Sequence, residues 1–327
     1  MVQNGHTVNV QFHRLLGVVS WVVLGILGAG CASGQLLPDA SRIVRATPTM
    51  IPTPTVTPTP LPTPTPTPRV LPVGQTGDWS LIFSDDFNGV ALNTQKWHTC
   101  YWWDKRGCTI ITNNELEWYQ PDNVSLKNGA LQLRAQQQPI DASNGNAYDY
   151  TSGMITSGRA TSNTSRPAKF TFQYGYAEIR AKIPKGKGLW PAFWLLPADQ
   201  NSRPEIDVME IIGDEPRVVN MRFHYRASGD DGDVGGSWTG PDFSAGWHTF
   251  AIDWQPEALV WYVDGIERWR YEDKTHIPSV PMYLLANLAV GGDWPGPPDA
   301  ATPFPSDYQI DYVRVWKKGS AAPNSTG

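Results

Sequence analysis

The sequence predicts an all-β domain, a β-sandwich jelly roll of two curved antiparallel sheets with one concave face. Three observations predict it. From about residue 78 onward, short stretches alternate apolar and polar residues with a period of two. Turn signals rich in Gly, Pro, Asn and Asp separate these stretches. No segment there carries the 3.6-residue period of a helix longer than a turn or two.

Taken in order, the chain opens on an export signal. Arg14 precedes Leu15–Gly30, an almost uninterrupted apolar run of 16 residues ending in small side chains. It is short for a membrane span and suits the core of a signal peptide, so residues 1–31 are assigned to one. Cys31 follows Leu27-Gly-Ala-Gly30. That pattern is similar to the lipid-attachment box of bacterial lipoproteins, except that leucine stands four residues before the cysteine rather than three. A lipid anchor at Cys31 is expected, with simple cleavage and secretion as the alternative. Membrane contact is expected only through that lipid, and the protein is placed at the cell surface or outside the cell.

Residues 32–77 read as a linker. Within it, residues 47–68 are a Thr-Pro repeat. Proline at that density forbids helices and sheet ladders and favours an extended polyproline II rod. At about 3.1 Å per residue the repeat reaches roughly 70 Å, enough to hold a domain well away from its anchor.

The domain itself is assigned to residues 78–318, with 319–327 as a tail. Leu81-Ile-Phe83, Leu131–Ala135, Tyr176–Ile183, His248–Trp254 and Val260–Val263 read as strands. Asn128-Gly129, Pro184–Gly186, Asp264-Gly265 and Gly291-Gly292 read as turns. Leu259–Val263 and Ile266–Tyr271, flanking Asp264-Gly265, predict a hairpin, since Asp-Gly supplies the two positive-φ residues of a type I′ turn. Cys100 and Cys108 lie eight apart, and in an exported chain they are expected to pair as a disulfide. A metal pair is the weaker reading, because no second Cys or His pair completes a site.

Chemistry concentrates at Glu205-Ile-Asp-Val-Met-Glu210. Successive strand side chains point to opposite faces, so Glu205 and Asp207 share one. Strict alternation would send Glu210 to the other. One extra residue, a β-bulge at Val208–Met209, returns Glu210 to the acidic face. Three carboxylates then crowd together and push one another's pKa values apart. That arrangement suits a nucleophile and a proton donor acting on one glycosidic bond.

Charge and aromatic content agree. The net charge is −5, and residues 1–69 remove four basic residues and one acidic one, leaving a still more acidic domain without basic runs. Such a surface is a poor partner for nucleic acid or anionic membranes; a neutral polysaccharide fits better. Sugar rings stack their apolar faces on indoles. Of the 15 tryptophans, Trp190 and Trp194, on the strand before the acids, and Trp294, in the Gly/Pro loop Gly291–Gly296, are the expected sugar platforms.

The acidic hexad, with Asn113–Tyr119, Tyr174–Pro184, Gly188–Pro197, Leu288–Gly296 and Ile310–Trp316, resembles glycoside hydrolase family 16. The six-residue form of the motif is similar to that of the laminarinase-like, endo-β-1,3-glucanase branch. The resemblance spans residues 79–317. It implies a jelly roll and a retaining endo-glycosidase acting on β-linked glucans or galactans. It further implies Glu205 as nucleophile, Glu210 as general acid/base and Asp207 as the assisting carboxylate. Asn113 and Glu115 match sugar-contacting positions, and His224 is expected on the following strand with its ring near Glu210. Trp190 matches the stacking platform. A structural Ca²⁺ is implied at Asp86, Gly129 and Asp311, partly through backbone oxygens; no cofactor is required for catalysis. Met154 stands where many relatives carry a sugar-contacting arginine, with Arg159 as the candidate replacement. The resulting expectation is a monomeric hydrolase of internal β-1,3 or mixed β-1,3-1,4 glucan bonds. The alternatives are a β-galactan hydrolase or transglycosylase of the same fold, or a jelly-roll lectin that binds without cutting.

Overall fold

Among the described residues, period-two alternation becomes sixteen strands. The computed structural model describes residues 70–319 apart from 102–107, 162–165, 200–201 and 228–229. The signal stretch, Cys31, the Thr-Pro repeat and residues 320–327 lie outside the described residues. The strands are β1 (Trp79–Asp85), β2 (Glu117–Tyr119), β3 (Val124–Lys127), β4 (Ala130–Asp141), β5 (Ala147–Ser152), β6 (Met154–Thr156), β7 (Gly175–Lys182) and β8 (Leu189–Pro197). They continue with β9 (Glu205–Glu210), β10 (Val218–Ala227), β11 (Asp230–Thr239), β12 (His248–Trp254), β13 (Leu259–Val263), β14 (Ile266–Tyr271), β15 (Met282–Val290) and β16 (Ser306–Lys318). Among the described residues the helices are two single 3₁₀ turns, Ile111–Asn113 and Pro121–Asn123.

Two sheets face each other. The ten-stranded sheet runs β14-β13-β12-β7-β16-β4-β5-β2, with β1 also paired to β16 and β3 to β4. The six-stranded sheet runs β11-β10-β9-β8-β15-β6. This is a jelly roll. Its core is made where the inward-facing residues of both sheets meet: Leu131, Ile179, Phe250 and Trp261 from the larger, Phe193, Ile206, Phe223 and Leu284 from the smaller, all fully buried. The β13–β14 hairpin has the predicted bounds, and Asp264 (φ 51°) and Gly265 (φ 73°) both take the left-handed conformation its turn requires.

The expected start of the domain at residue 78 falls too late. Residues 70–77 are docked on the outer face of the larger sheet. Trp316 Nε1 donates to Val70 O at 2.8 Å, and Val73 N donates to Glu178 Oε2 at 3.1 Å. Both partners lie more than 100 residues away, so no local signal announces them. Tyr312 OH donates to the other Glu178 oxygen at 2.8 Å. Burial nevertheless pushes the Glu178 carboxyl from its ordinary 4.5 up to about 7, outweighing those bonds and Arg314. The folded state therefore holds this proton more tightly than the unfolded chain. The group's stability contribution is complete below pH 4.5 and is lost as pH rises through about 7. Relative to Glu178→Gln, the wild type should lose on the order of 3 kcal/mol across that window. Urea midpoints of the two proteins between pH 4.5 and 8.5 check this; a constant difference contradicts it.

Candidate active site

The acidic strand is central in the smaller sheet, between β8 and β10. On the β8 side Trp194 pairs with Asp207 and Phe193 with Met209, so Val208 has no partner. On the β10 side Arg222 pairs with Asp207 and Asn220 with Glu210, so two residues of β9 oppose Met221 alone. This is the bulge expected at Val208–Met209. Its cause is visible in the packing. Ile206, Val208, Met209 and Ile211 all enter the core between the sheets, and two consecutive apolar side chains can do so only if alternation skips. Glu205, Asp207 and Glu210 then line one cavity on the opposite face.

That cavity encloses about 280 Å³, and its walls include Asn113, Glu115, Trp190, Trp194 and Asn287. Asp207 and Glu210 are buried, and Glu205 is half-buried. Burial, then the charges of Asp207 and Glu210, push the Glu205 carboxyl well above its ordinary range. Burial and the charge of Asp207 push Glu210 well up too, against the pull of Arg222 and a hydrogen bond from Trp190. The cluster therefore retains protons at pH values where isolated carboxyls have lost them. Trp190 Nε1 donates to Glu210 Oε1 at 3.2 Å. From the opposite sheet, the fully buried Trp261 donates its Nε1 to the backbone oxygen of Asp207 at 2.8 Å, pinning the bulge from behind.

The aromatic residues divide. Trp190 lines the cavity and meets Trp294 edge-on, centroids 5.4 Å apart. Trp294 is 42% exposed and stands at the rim beside Arg222, whose guanidinium is 5.8 Å from its ring. Trp194 also lines the cavity, but it is buried, its Nε1 donating to Asn287 Oδ1 at 2.8 Å, so it builds the floor.

His224 departs from expectation. Its ring is expected near Glu210, but antiparallel pairing sets it opposite Glu205, with Nε2 3.2 Å from Asp207 Oδ2. Arg222, two residues earlier on the same face, is the residue whose charge reaches Glu210. Glu205, Asp207 and His224 bring ligand atoms within 4.8 Å of one another, the one such metal-capable group identified among the described residues.

Asn113 and Glu115 do reach the cavity. Asn113 Nδ2 donates to Glu115 Oε1 at 2.9 Å. Behind them stands Glu117, fully buried, its Oε2 accepting from Val290 N at 2.7 Å. Burial first, and then the charge of Glu115, push the Glu117 carboxyl well above its ordinary range. Met154 is fully buried among Tyr101, Tyr119 and Trp194. Arg159 does not replace the missing cation, since its guanidinium donates to Ala198 O and it is not among the cavity's lining residues. Cys100 and Cys108 are joined as a disulfide, Cα atoms 5.0 Å apart.

The three calcium positions do come together, because Asp85 pairs with Val313 and Leu131 with Ile310. The donor set does not fit the ion as placed. Asp86 Oδ1 accepts two bonds from Arg314, and Asp311 Oδ2 is 2.6 Å from Arg180 Nη1. Both carboxylate charges are already offset by guanidinium groups, where calcium requires several free oxygens.

Comparison with known proteins places these features in a series. A family model described as glycosyl hydrolases family 16 matches residues 112–314. The chain is 36% identical over 249 residues to the endo-1,3-1,4-beta-glycanase EglC of Rhizobium meliloti (strain 1021), covering 72% of this chain and 51% of that protein. It is 33% identical over 267 residues to a beta-glucanase of Rhodothermus marinus, covering 73% of this chain and 85% of that protein. Among solved structures, the catalytic domain of an endo-1,3-beta-glucanase (laminarinase) from Thermotoga petrophila RKU-1 superimposes with a TM-score of 0.65 at 33% identity, covering 75% of this chain and 100% of that one. The chain spans about half the length of the Rhizobium relatives it matches.

Proposed function

This chain belongs to the glycosyl hydrolases family 16, and from that premise we propose that it hydrolyses internal β-1,3 or mixed β-1,3-1,4 bonds of glucans with retention of configuration. The observation that carries the reading is the bulge, which gathers Glu205, Asp207 and Glu210 on one wall of a tryptophan-lined cavity.

A carboxylate oxygen of Glu205 attacks the anomeric carbon while Glu210 gives its proton to the departing glycosidic oxygen. The old C–O bond breaks and a glycosyl ester forms on Glu205. Esterification removes a negative charge from the cluster. Repulsion on Glu210 falls, its proton affinity falls with it, and it becomes the base that deprotonates water. Water oxygen bonds to the anomeric carbon, the ester breaks, and Glu205 is free again. Asp207, held between Glu205 and His224, orients the nucleophile and keeps the cluster's protons high.

The electrostatics give a pH test. Arg222 is a cation that draws Glu210 down. Arg222→Met therefore raises the Glu210 pKa, and the basic limb of kcat/KM moves to higher pH. An unmoved or lowered limb contradicts Glu210 as the acid.

Substrate class is tested by product analysis on laminarin, lichenan and agarose side by side. Short oligosaccharides from laminarin or lichenan are expected. Cutting of agarose alone assigns the site to galactans, and binding without products assigns it to a lectin. The apolar run before Cys31 and the Cys100–Cys108 disulfide both support export; acylation of Cys31 would then tether the domain to the cell surface.

A further inference from the structure

A second cavity, about 160 Å³, opens on the outer face of the ten-stranded sheet. The catalytic acids line the outer face of the other sheet, so the two openings lie on opposite sides of the sandwich. The second is lined by Lys127, Asn128, Gln132, Trp247, Asp307 and Gln309.

The fold aims these side chains outward. Gln132 and Gln309 are paired directly across β4 and β16. Their strand neighbours Leu131, Leu133, Tyr308 and Ile310 are fully buried in the core, so by alternation the two carboxamides face away from it. Asn128 sits at the tip of the β3–β4 turn with φ 56°, a left-handed conformation that asparagine tolerates. Trp247 immediately precedes β12.

Two arginines brace the walls. Arg134 grips Asp307 with two bonds of 2.7 and 2.8 Å. Arg180 places its guanidinium 5.4 Å from the Trp247 ring while bonding Asp311 at 2.6 Å. The polar lining, by contrast, is little used by the fold. Among the described residues, Asn128, Gln309 and Trp247 make no side-chain hydrogen bond, and the Gln132 amide reaches only Ala130 O at 3.5 Å.

A braced indole beside three carboxamides is the chemistry that holds a pyranose ring. The C–H face lies on the indole, and each amide offers a donor and an acceptor to vicinal hydroxyls. Asp307 is neutralised by Arg134, and the one remaining charge on the lining, Lys127, is exposed to solvent and can donate to a sugar hydroxyl as readily as to an anion. The chain's net charge of −5 opposes a nucleic-acid strand, whose bases also stack.

We propose that this cavity is a second glycan-binding site, taking a neutral hexopyranose unit of a polysaccharide on the face opposite the catalytic cleft. That the polymer is a β-glucan rests on the function proposed above. A site on the far side leaves the cleft open and holds the enzyme on a particle through a second chain. The gain is one of effective concentration, felt on insoluble polymer and absent on short soluble substrates.

The test uses the full chain. Binding to insoluble β-1,3-glucan particles and to agarose beads is measured for the parent, Trp247→Ala and Gln309→Ala, each carrying Glu205→Gln so that the particles survive. Turnover of laminaritetraose is measured for the same two substitutions without Glu205→Gln. Trp247→Ala is expected to weaken particle binding about tenfold or more, with kcat/KM on the tetrasaccharide within about twofold of the parent. If Trp247→Ala does not fold, a measurable loss in Gln309→Ala serves in its place. Parental particle binding in the folded variants overturns the proposal, even where the parent cuts laminarin. Loss of binding confined to agarose keeps the second site and overturns the glucan assignment instead.

Discussion

Glu205→Gln is expected to abolish turnover of laminarin, and Glu210→Gln to lower it by about 10²–10⁴-fold, the contribution of a positioned proton donor. Neither variant should lose thermal stability. Both side chains carry raised pKa values because burial and neighbouring charge penalise the ionised carboxylate, and glutamine keeps the shape without that penalty. Steady-state kinetics with thermal melts of both variants check the pair of effects. Near-normal turnover in either removes that residue from the chemistry. A collapse in melting temperature with lost activity would mean that the carboxyls are structural.

Trp261→Phe should damage catalysis from across the core. Its indole N–H bonds the Asp207 backbone oxygen at the bulge. Phenylalanine keeps most of the packing and leaves that buried acceptor unpaired, at a cost of about 1–3 kcal/mol. A bulge freed from its anchor lets Glu210 drift from Glu205, and a misplacement near 1 Å costs up to about 10²-fold in rate. Trp269→Phe is the control. Trp269 packs against Trp261 with centroids 4.4 Å apart, and its ring is not the one bonded to Asp207. It should cost stability without a matching loss of kcat. Equal kinetic losses in the two variants would contradict a specific role for the 2.8 Å bond.

Much of this was readable in the amino-acid order, and the boundary of what was readable has a physical cause. The hairpin around Asp264-Gly265 announced itself because turn and strands are contiguous. So did the bulge: three acids spaced by one and then two apolar residues cannot share a face on a regular strand. Trp261, Asn287 and Glu117 went unnoticed, since each matters through a partner reached across the core or a neighbouring strand. The docking of residues 70–77 depends on Glu178 and Trp316 in the same way. His224 lies on the expected strand but faces Glu205 and Asp207, because the connection over residues 211–217 leaves the register between β9 and β10 unmarked in the sequence. Arg222 carried a usable signal, being two residues from His224 and on its face. Asp86 and Asp311 meet arginines that come from other strands, and spacing along the chain says nothing of them.

Central to the proposed function is Glu205 as the residue whose oxygen bonds to sugar, with Glu210 turned toward it by a skipped residue. A fluorinated β-glucosyl inhibitor with a good leaving group, followed by peptide mass spectrometry, tests this directly, because the ester accumulates when its hydrolysis is slowed. The label is predicted on the peptide spanning residues 205–210, at Glu205, and absent from Glu205→Gln. A label on Glu210 or Asp207, or an active enzyme whose first product is the inverted anomer and which never takes up label, would contradict it.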